Sequence, residues 1–169
     1  LKKYFFNGSL VNLDSFNDFE HLKKLIDHFD YNFRVGLRCN FQITDRYTSR
    51  FGLDVESDEF KDVINFLISS NKVSLECIHS HFPDRAIGYY NPRAKKMLEI
   101  VKKYFKSPPK FIDIGGGYYG KMPEFLAKQF GGEIPTYEDY ANSIAKEFNV
   151  FFSELPDEKK PTLILEPGS

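Results

Sequence analysis

The sequence has few cysteines, almost no net charge and no long apolar run, and each of these absences argues against a class of protein. It has only two cysteines in 169 residues, and both Cys39 and Cys77 lie in apolar stretches, so we expect free thiols and no disulfide framework. Its net charge is −1, which offers no basic surface to nucleic acid or to an anionic membrane. It lacks both the roughly 18 to 20 apolar residues of a membrane span and the apolar core of a signal peptide. We therefore expect a cytoplasmic protein with neither nucleic acid nor membrane as a partner.

Short β-rich stretches alternate with longer stretches of helical period. The predicted strands are SLVNL (9–13), FRVGLRC (33–39), VSLECIH (73–79), KFIDI (110–114) and TLILE (162–166). Helix starts are indicated by Asp14 or Ser15, by Ser57, by Asn91 before Pro92, and by Thr136 with Asp139 as an approximate capping box. This alternation predicts an α/β fold whose βα units feed a parallel sheet.

Polar and glycine residues follow the predicted strands at their carboxyl ends. In βα proteins these ends converge on one edge of the sheet, where the chemistry collects. The rule selects the following residues: Arg38, Asn40, His79, His81, Gly115, Gly116, Gly117, Glu166, Gly168 and Ser169. We therefore expect these residues to form one site.

The glycine loop FIDIGGGYYG (111–120) follows a strand and precedes a short predicted helix. Three glycines let backbone amides approach an anion closely, so the loop is predicted to hold a phosphate. The same loop sequence is compatible with two other ligands. Gly115, Gly117 and Gly120 match a dinucleotide fingerprint, and DIGGG resembles the first motif of S-adenosylmethionine-dependent methyltransferases. The loop alone leaves the three ligands open.

The pair His79 and His81 stands at the end of one strand, and Glu166 stands at the end of another. Two histidines could hold a metal, but no further ligands with suitable spacing are evident, so we predict no metal site. A buried carboxylate is costly unless it meets a cation or hydrogen-bond donors. A protonated pyridine nitrogen would be such a partner for Glu166.

Six segments stand in the order found in one enzyme family: NLDSF, RFGLD, IHSHF, IDIGGGYYG, YEDYA and LILEPGS. From about residue 8 onward the chain resembles the fold-type III decarboxylases, which depend on pyridoxal 5'-phosphate and include diaminopimelate, ornithine and arginine decarboxylases. The resemblance implies a TIM-type parallel (β/α) barrel, incomplete here, with about five of its eight units.

Site roles are also implied by the resemblance. Gly115, Gly116 and Gly117 would hold the cofactor phosphate, with Gly168 and Ser169 beside them. His81 would stack on the pyridine ring and steer protonation to its other face. Glu166 would pair with the ring nitrogen, and Arg38 would lie near the cofactor.

Two departures from the family weaken the predicted phosphate grip. A carboxylate, Asp84, stands where relatives carry a hydroxyl, and Ser169 replaces an arginine. Residues 1–169 are expected to form part of the pyridoxal-phosphate-binding barrel, because both the lysine that attaches the cofactor and a C-terminal β domain are missing from this stretch.

The predicted function is decarboxylation of a small-molecule amino acid by a homodimeric full-length enzyme, with this stretch inactive by itself. A racemase or aldolase with the same cofactor, an S-adenosylmethionine-dependent methyltransferase, and a catalytically dead regulatory homologue remain as alternatives.

Overall fold

The computed structural model describes residues 1–43, 49–120, 122–130 and 134–167. These ranges contain six strands and six α-helices. The strands are β1 (Val11–Leu13), β2 (Phe33–Asn40), β3 (Leu53–Asp54), β4 (Val73–His79), β5 (Phe111–Asp113) and β6 (Thr162–Ile164). The helices are α1 (Lys2–Phe6), α2 (Phe16–His28), α3 (Asp58–Ser69), α4 (Tyr90–Tyr104), α5 (Glu124–Ala127) and α6 (Tyr137–Phe151).

The main sheet runs in the order β1-β2-β4-β5-β6, and every pairing in it is parallel. The two-residue strand β3 lies off this path and pairs with the carboxyl end of β2. Neighbours in the sheet thus follow chain order, as in a βα barrel and unlike the reversed order of a doubly wound sheet. Among the described strands β1 and β6 do not meet, so the barrel is not closed.

One face of the central strand β2 is apolar and forms the core with α3. On this face, which every second side chain shares, Phe33, Val35 and Leu37 are fully buried, and α3 adds Phe60 and Leu67 to the same core. The alternate positions of β2 are Arg34, Gly36 and Arg38. Burial of this apolar surface is the main stabilising contribution to the fold.

Three of the predicted helix starts are confirmed. Ser15 Oγ accepts the Asp18 amide at 3.3 Å, Ser57 Oγ accepts the Phe60 amide at 3.0 Å, and Thr136 forms a full capping box with Asp139. The start predicted at Asn91 is wrong. Helix α4 already begins at Tyr90, after a 3₁₀ turn at Ile87–Tyr89, and it has no side-chain cap.

Asn91 makes a tertiary contact in place of a cap. Its side-chain amide donates to Glu147 Oε1 of α6 at 2.8 Å. This non-local bond has no signature in the local sequence.

The two cysteines are free and buried, as expected. Burial raises the pKa of the Cys77 thiol to about 12, so it stays a neutral thiol that packs as a small apolar group. None of the helices described by the structure is both long and apolar enough to cross a membrane.

Candidate functional site

The register of the sheet places the ends of four strands side by side. Arg38 pairs with His79, His79 pairs with Asp113, and Asp113 pairs with Ile164. The residues that follow these strands therefore emerge at the same edge of the sheet. This alignment brings His81, the three glycines and Glu166 together.

The glycine loop has no room for side chains at its first two positions. A Cβ at Gly115 would lie 2.5 Å from the Ser80 carbonyl oxygen, and one at Gly116 would lie 2.5 Å from the Glu166 carbonyl oxygen. Gly115 and Gly117 also have φ values of 73° and 95°, a region that side-chain-bearing residues rarely adopt. Each of the three glycines is thus required by backbone geometry or by close approach.

The loop presents backbone amides that lack a protein partner. Gly115 donates its amide to Asp113 Oδ1 at 2.8 Å. Within the described residues, the amides of Gly117 and Tyr118 donate to no acceptor. Consecutive free amides in a glycine-rich turn form an anion-binding concavity, so the loop fits a phosphate group.

His81 and Glu166 are in direct contact next to this loop. His81 Nδ1 lies 3.0 Å from Glu166 Oε2 and 3.4 Å from the Gly116 amide nitrogen. Protonated Nδ1 donates to the carboxylate, whereas unprotonated Nδ1 accepts from the amide. The Glu166 backbone is tied to the loop as well, because its amide donates to the Gly115 carbonyl at 2.9 Å. The partly exposed pair and the loop therefore form one continuous surface.

His79 is buried next to the pair, and neither of its ring nitrogens has a hydrogen-bond partner among the described residues. Burial lowers its pKa to about 4, with the Glu166 charge opposing the shift, so the ring is neutral near pH 7. His79, His81 and Glu166 each offer one ligand atom within 4.8 Å of the others, a grouping that could hold a metal ion. The absence of a metal site stays a prediction.

Arg38 is held beside the site by neighbouring protein groups. Its Nη1 donates to Asp14 Oδ1 at 2.7 Å, and its Nη2 lies 3.4 Å from the His81 carbonyl oxygen. The guanidinium thus steadies the backbone that carries His81. A direct role of Arg38 at a cofactor stays a prediction.

Two residues at this edge were missed by the sequence analysis. Asp113 is buried, and burial raises its pKa to about 6, while the Gly115 amide bond opposes the shift. Arg93 of α4 is 0% exposed and donates from Nη1 to the Ile114 carbonyl at 3.1 Å. The signal for Arg93 is its place four residues before Met97, on the apolar face of its helix. Asp113 lies within the apolar strand FID.

Two of the predicted site residues, Gly168 and Ser169, lie outside the described residues. Arg85, which follows Asp84, has its guanidinium 5.7 Å from the centre of the Tyr119 ring. It therefore packs on the glycine loop's own aromatic residue.

The family model for the pyridoxal binding domain of pyridoxal-dependent decarboxylases matches residues 7–169. The chain belongs to this family, whose cofactor is pyridoxal phosphate, and the predicted resemblance is confirmed. No curated protein sequence matches the chain. The methyltransferase alternative finds no support, and the loop it relies on follows the fourth strand of the main sheet.

Solved decarboxylases share the fold. Diaminopimelate decarboxylase from M. jannaschii is 22% identical with a TM-score of 0.70, covering 93% of this chain and 37% of its own. The Helicobacter pylori enzyme complexed with L-lysine is 19% identical with a TM-score of 0.71, covering 94% of this chain and 39% of its own. Arginine decarboxylase from Paramecium bursaria Chlorella virus is 19% identical with a TM-score of 0.59, with the same coverage.

These comparisons confirm the predicted fold, a TIM-type α/β barrel that is incomplete in this chain. The chain spans only 37 to 39% of the length of these three solved enzymes.

Proposed function

We propose that the chain is the pyridoxal-phosphate-binding part of an amino-acid decarboxylase related to the diaminopimelate, ornithine and arginine enzymes. The observation that carries the proposal is the contact of His81 with Glu166 at 3.0 Å, directly beside a glycine loop with free amides. An anion cradle, an aromatic imidazole and a carboxylate are the three groups that a phosphorylated pyridine needs.

Each group has a distinct task in this proposal. The amides of the glycine loop bind the phosphate, and the His81 ring covers one face of the pyridine and shields it from proton transfer. Glu166 holds a proton on the pyridine nitrogen, because an opposite charge in a poorly hydrated site favours the protonated form. When bound, the cofactor supplies an electron sink for the carbanion left by departing carbon dioxide.

The neighbours of these groups keep them in place. Arg38 and Asp14 fix the backbone at His81 through a 2.7 Å ion pair and a 3.4 Å hydrogen bond. The Gly115 carbonyl holds the Glu166 amide at 2.9 Å. Both side chains therefore project from anchored backbone, which is the preorganisation that a catalytic site needs.

The proposal includes groups from outside residues 1–169. The lysine that attaches the cofactor and a C-terminal β domain would come from the rest of a longer protein, and a second subunit would complete the site. The chain by itself is therefore expected to release no carbon dioxide.

The test uses the full-length protein and its E166Q variant. Wild type should bind pyridoxal phosphate in an absorbance titration and release carbon dioxide from diaminopimelate, ornithine, arginine or lysine. E166Q keeps the shape of the side chain but loses the charge, so kcat should fall by about 10²-fold or more, while affinity for the cofactor changes little. The matched control is E158Q, at an exposed position in the turn before β6.

Three outcomes decide the matter. Wild type that does not bind pyridoxal phosphate would overturn the proposal. Tight binding without release of carbon dioxide from any of the four amino acids would favour the regulatory homologue. An E166Q enzyme as active as wild type would remove Glu166 from the proposed mechanism.

A further inference from the structure

Arg93 lies directly behind the glycine loop, on the side of its carbonyl groups. Its side chain is 0% exposed, and Nη1 lies 3.1 Å from the Ile114 carbonyl oxygen and 3.4 Å from the Gly116 carbonyl oxygen. Within the part of the chain that the structure describes, Nε and Nη2 have no hydrogen-bond partner. Among the described side chains, no carboxylate oxygen lies within 4.0 Å of the guanidinium.

The buried guanidinium has no carboxylate in direct contact to balance its charge, and among the described residues the Asp84 carboxylate stabilises it only from beyond ion-pair distance. Burial lowers the pKa of Arg93, but arginine does not lose its proton in proteins, so the cation remains. The rings of Tyr90 and Phe82 lie 4.6 Å and 5.1 Å from the guanidinium carbon and stabilise the charge only in part. A buried cation of this kind calls for an anion nearby.

The peptide geometry of the loop shows where such an anion would lie. None of the described peptide bonds is cis, so in each unit the C=O and N–H groups point in opposite directions. The Gly116 carbonyl oxygen faces Arg93, and the Gly117 carbonyl oxygen accepts from the Tyr90 hydroxyl at 2.7 Å. The N–H ends of these two units belong to Gly117 and Tyr118, the residues whose amides are free. The Gly117 amide therefore points away from Arg93, and the Tyr118 amide points away from the Tyr90 hydroxyl.

We propose that Arg93 is a positioning residue and the buried counter-charge for the cofactor phosphate, an inference that rests on the proposed function. It holds the carbonyl ends of the loop from behind, so that the amide ends stay directed at the phosphate. Its positive charge acts across a single peptide layer without touching the ligand. Arg93 thus places a positive charge near the phosphate site, where Ser169 replaces an arginine found in relatives.

The test measures affinity for pyridoxal phosphate and for pyridoxal, which lacks the phosphate, in the full-length protein. R93M should weaken the binding of pyridoxal phosphate about tenfold more than the binding of pyridoxal, a difference equivalent to about 1.4 kcal/mol. R93K keeps the charge and should recover part of this difference. The control K95M removes an exposed positive charge from the same helix and should leave both affinities unchanged.

The ratio of the two affinities separates the possible failures. If wild type binds neither ligand, the proposed function fails. If wild type binds both and R93M weakens them by the same factor, Arg93 is only structural and the inference is overturned.

A second variant keeps the inference testable if R93M does not fold. Y90F removes the hydroxyl that donates to the Gly117 carbonyl oxygen and leaves the Arg93 guanidinium in place. We expect about a threefold loss of affinity that is specific to pyridoxal phosphate. Unchanged ratios in both Y90F and R93K would overturn the inference. Competition by inorganic phosphate provides a readout that is independent of activity.

Discussion

Replacing Gly116 by alanine should weaken cofactor binding through a single steric clash. The added methyl group would lie 2.5 Å from the Glu166 carbonyl oxygen and 3.4 Å from His81 Cε1. Ordinary contacts of this kind begin at 3.4 Å, so the backbone at Glu166 or the loop must move by about 0.9 Å. The obstacle is a backbone atom, which cannot rotate away as the end of a side chain would.

The size of the effect follows from this displacement. Overpacking of a rigid site costs about 1 to 3 kcal/mol, which corresponds to about 5- to 150-fold in affinity if the cost falls on the bound state. The same shift would disturb the 3.0 Å contact of His81 with Glu166. G116A should therefore weaken the binding of pyridoxal phosphate by at least about fivefold and should also reduce turnover.

The assay is an absorbance titration of full-length wild type, G116A and a matched glycine variant. In G88A the new methyl group meets no atom within 4 Å, so its affinity should stay within about twofold of wild type. If G116A binds the cofactor as tightly as G88A does, the close approach of the loop to Glu166 plays no part in cofactor binding.

Three further predictions concern stability, each measured by urea denaturation of the full-length protein. Burial raises the pKa of Asp113 in the folded protein from 3.8 to about 6. The contribution of Asp113 to the free energy of unfolding is therefore fully present below pH 3.8 and is lost as the pH rises through 6. The free energy of unfolding of wild type relative to D113N should fall by about 2 kcal/mol from pH 4 to 7, and a flat difference would contradict this. The folded pKa of His79 is lowered from 6.5 to about 4 by burial, so its contribution is complete above pH 6.5 and is lost as the pH falls through 4. Relative to H79Q, wild type should therefore gain about 3 kcal/mol from pH 4 to 7, and a difference that falls with pH would be inconsistent with a buried neutral ring. T136A removes the capping box of α6 and should cost about 1 kcal/mol at neutral pH, whereas unchanged stability would show that the cap is dispensable.

Much of the scaffold was predictable because it depends on local patterns. Strand β4 has the predicted bounds, Val73–His79, since an apolar β-rich run between turn residues has few alternatives. The weaker strand β1 is shorter than predicted, Val11–Leu13 against 9–13. Strand β3 was not predicted, because two residues carry no periodicity and pair only through the position of β2.

The candidate site was predictable where it follows from the rule of converging strand ends. That rule groups His81, the glycine loop and Glu166, and the structure brings them into contact. It gives no information on what lies behind the loop. A charged residue on a helix is usually solvated, so the burial of Arg93 depends on how α4 packs against the loop.

A crystal structure of the full-length protein with pyridoxal phosphate would show whether the glycine loop, His81 and Glu166 form the cofactor site. We expect phosphate oxygens within hydrogen-bond distance of the Gly117 and Tyr118 amides, the His81 ring stacked on the pyridine, and the Glu166 carboxylate at the ring nitrogen. A phosphate bound away from the glycine loop, or a ring nitrogen that faces solvent with Glu166 still paired to His81, would contradict this expectation.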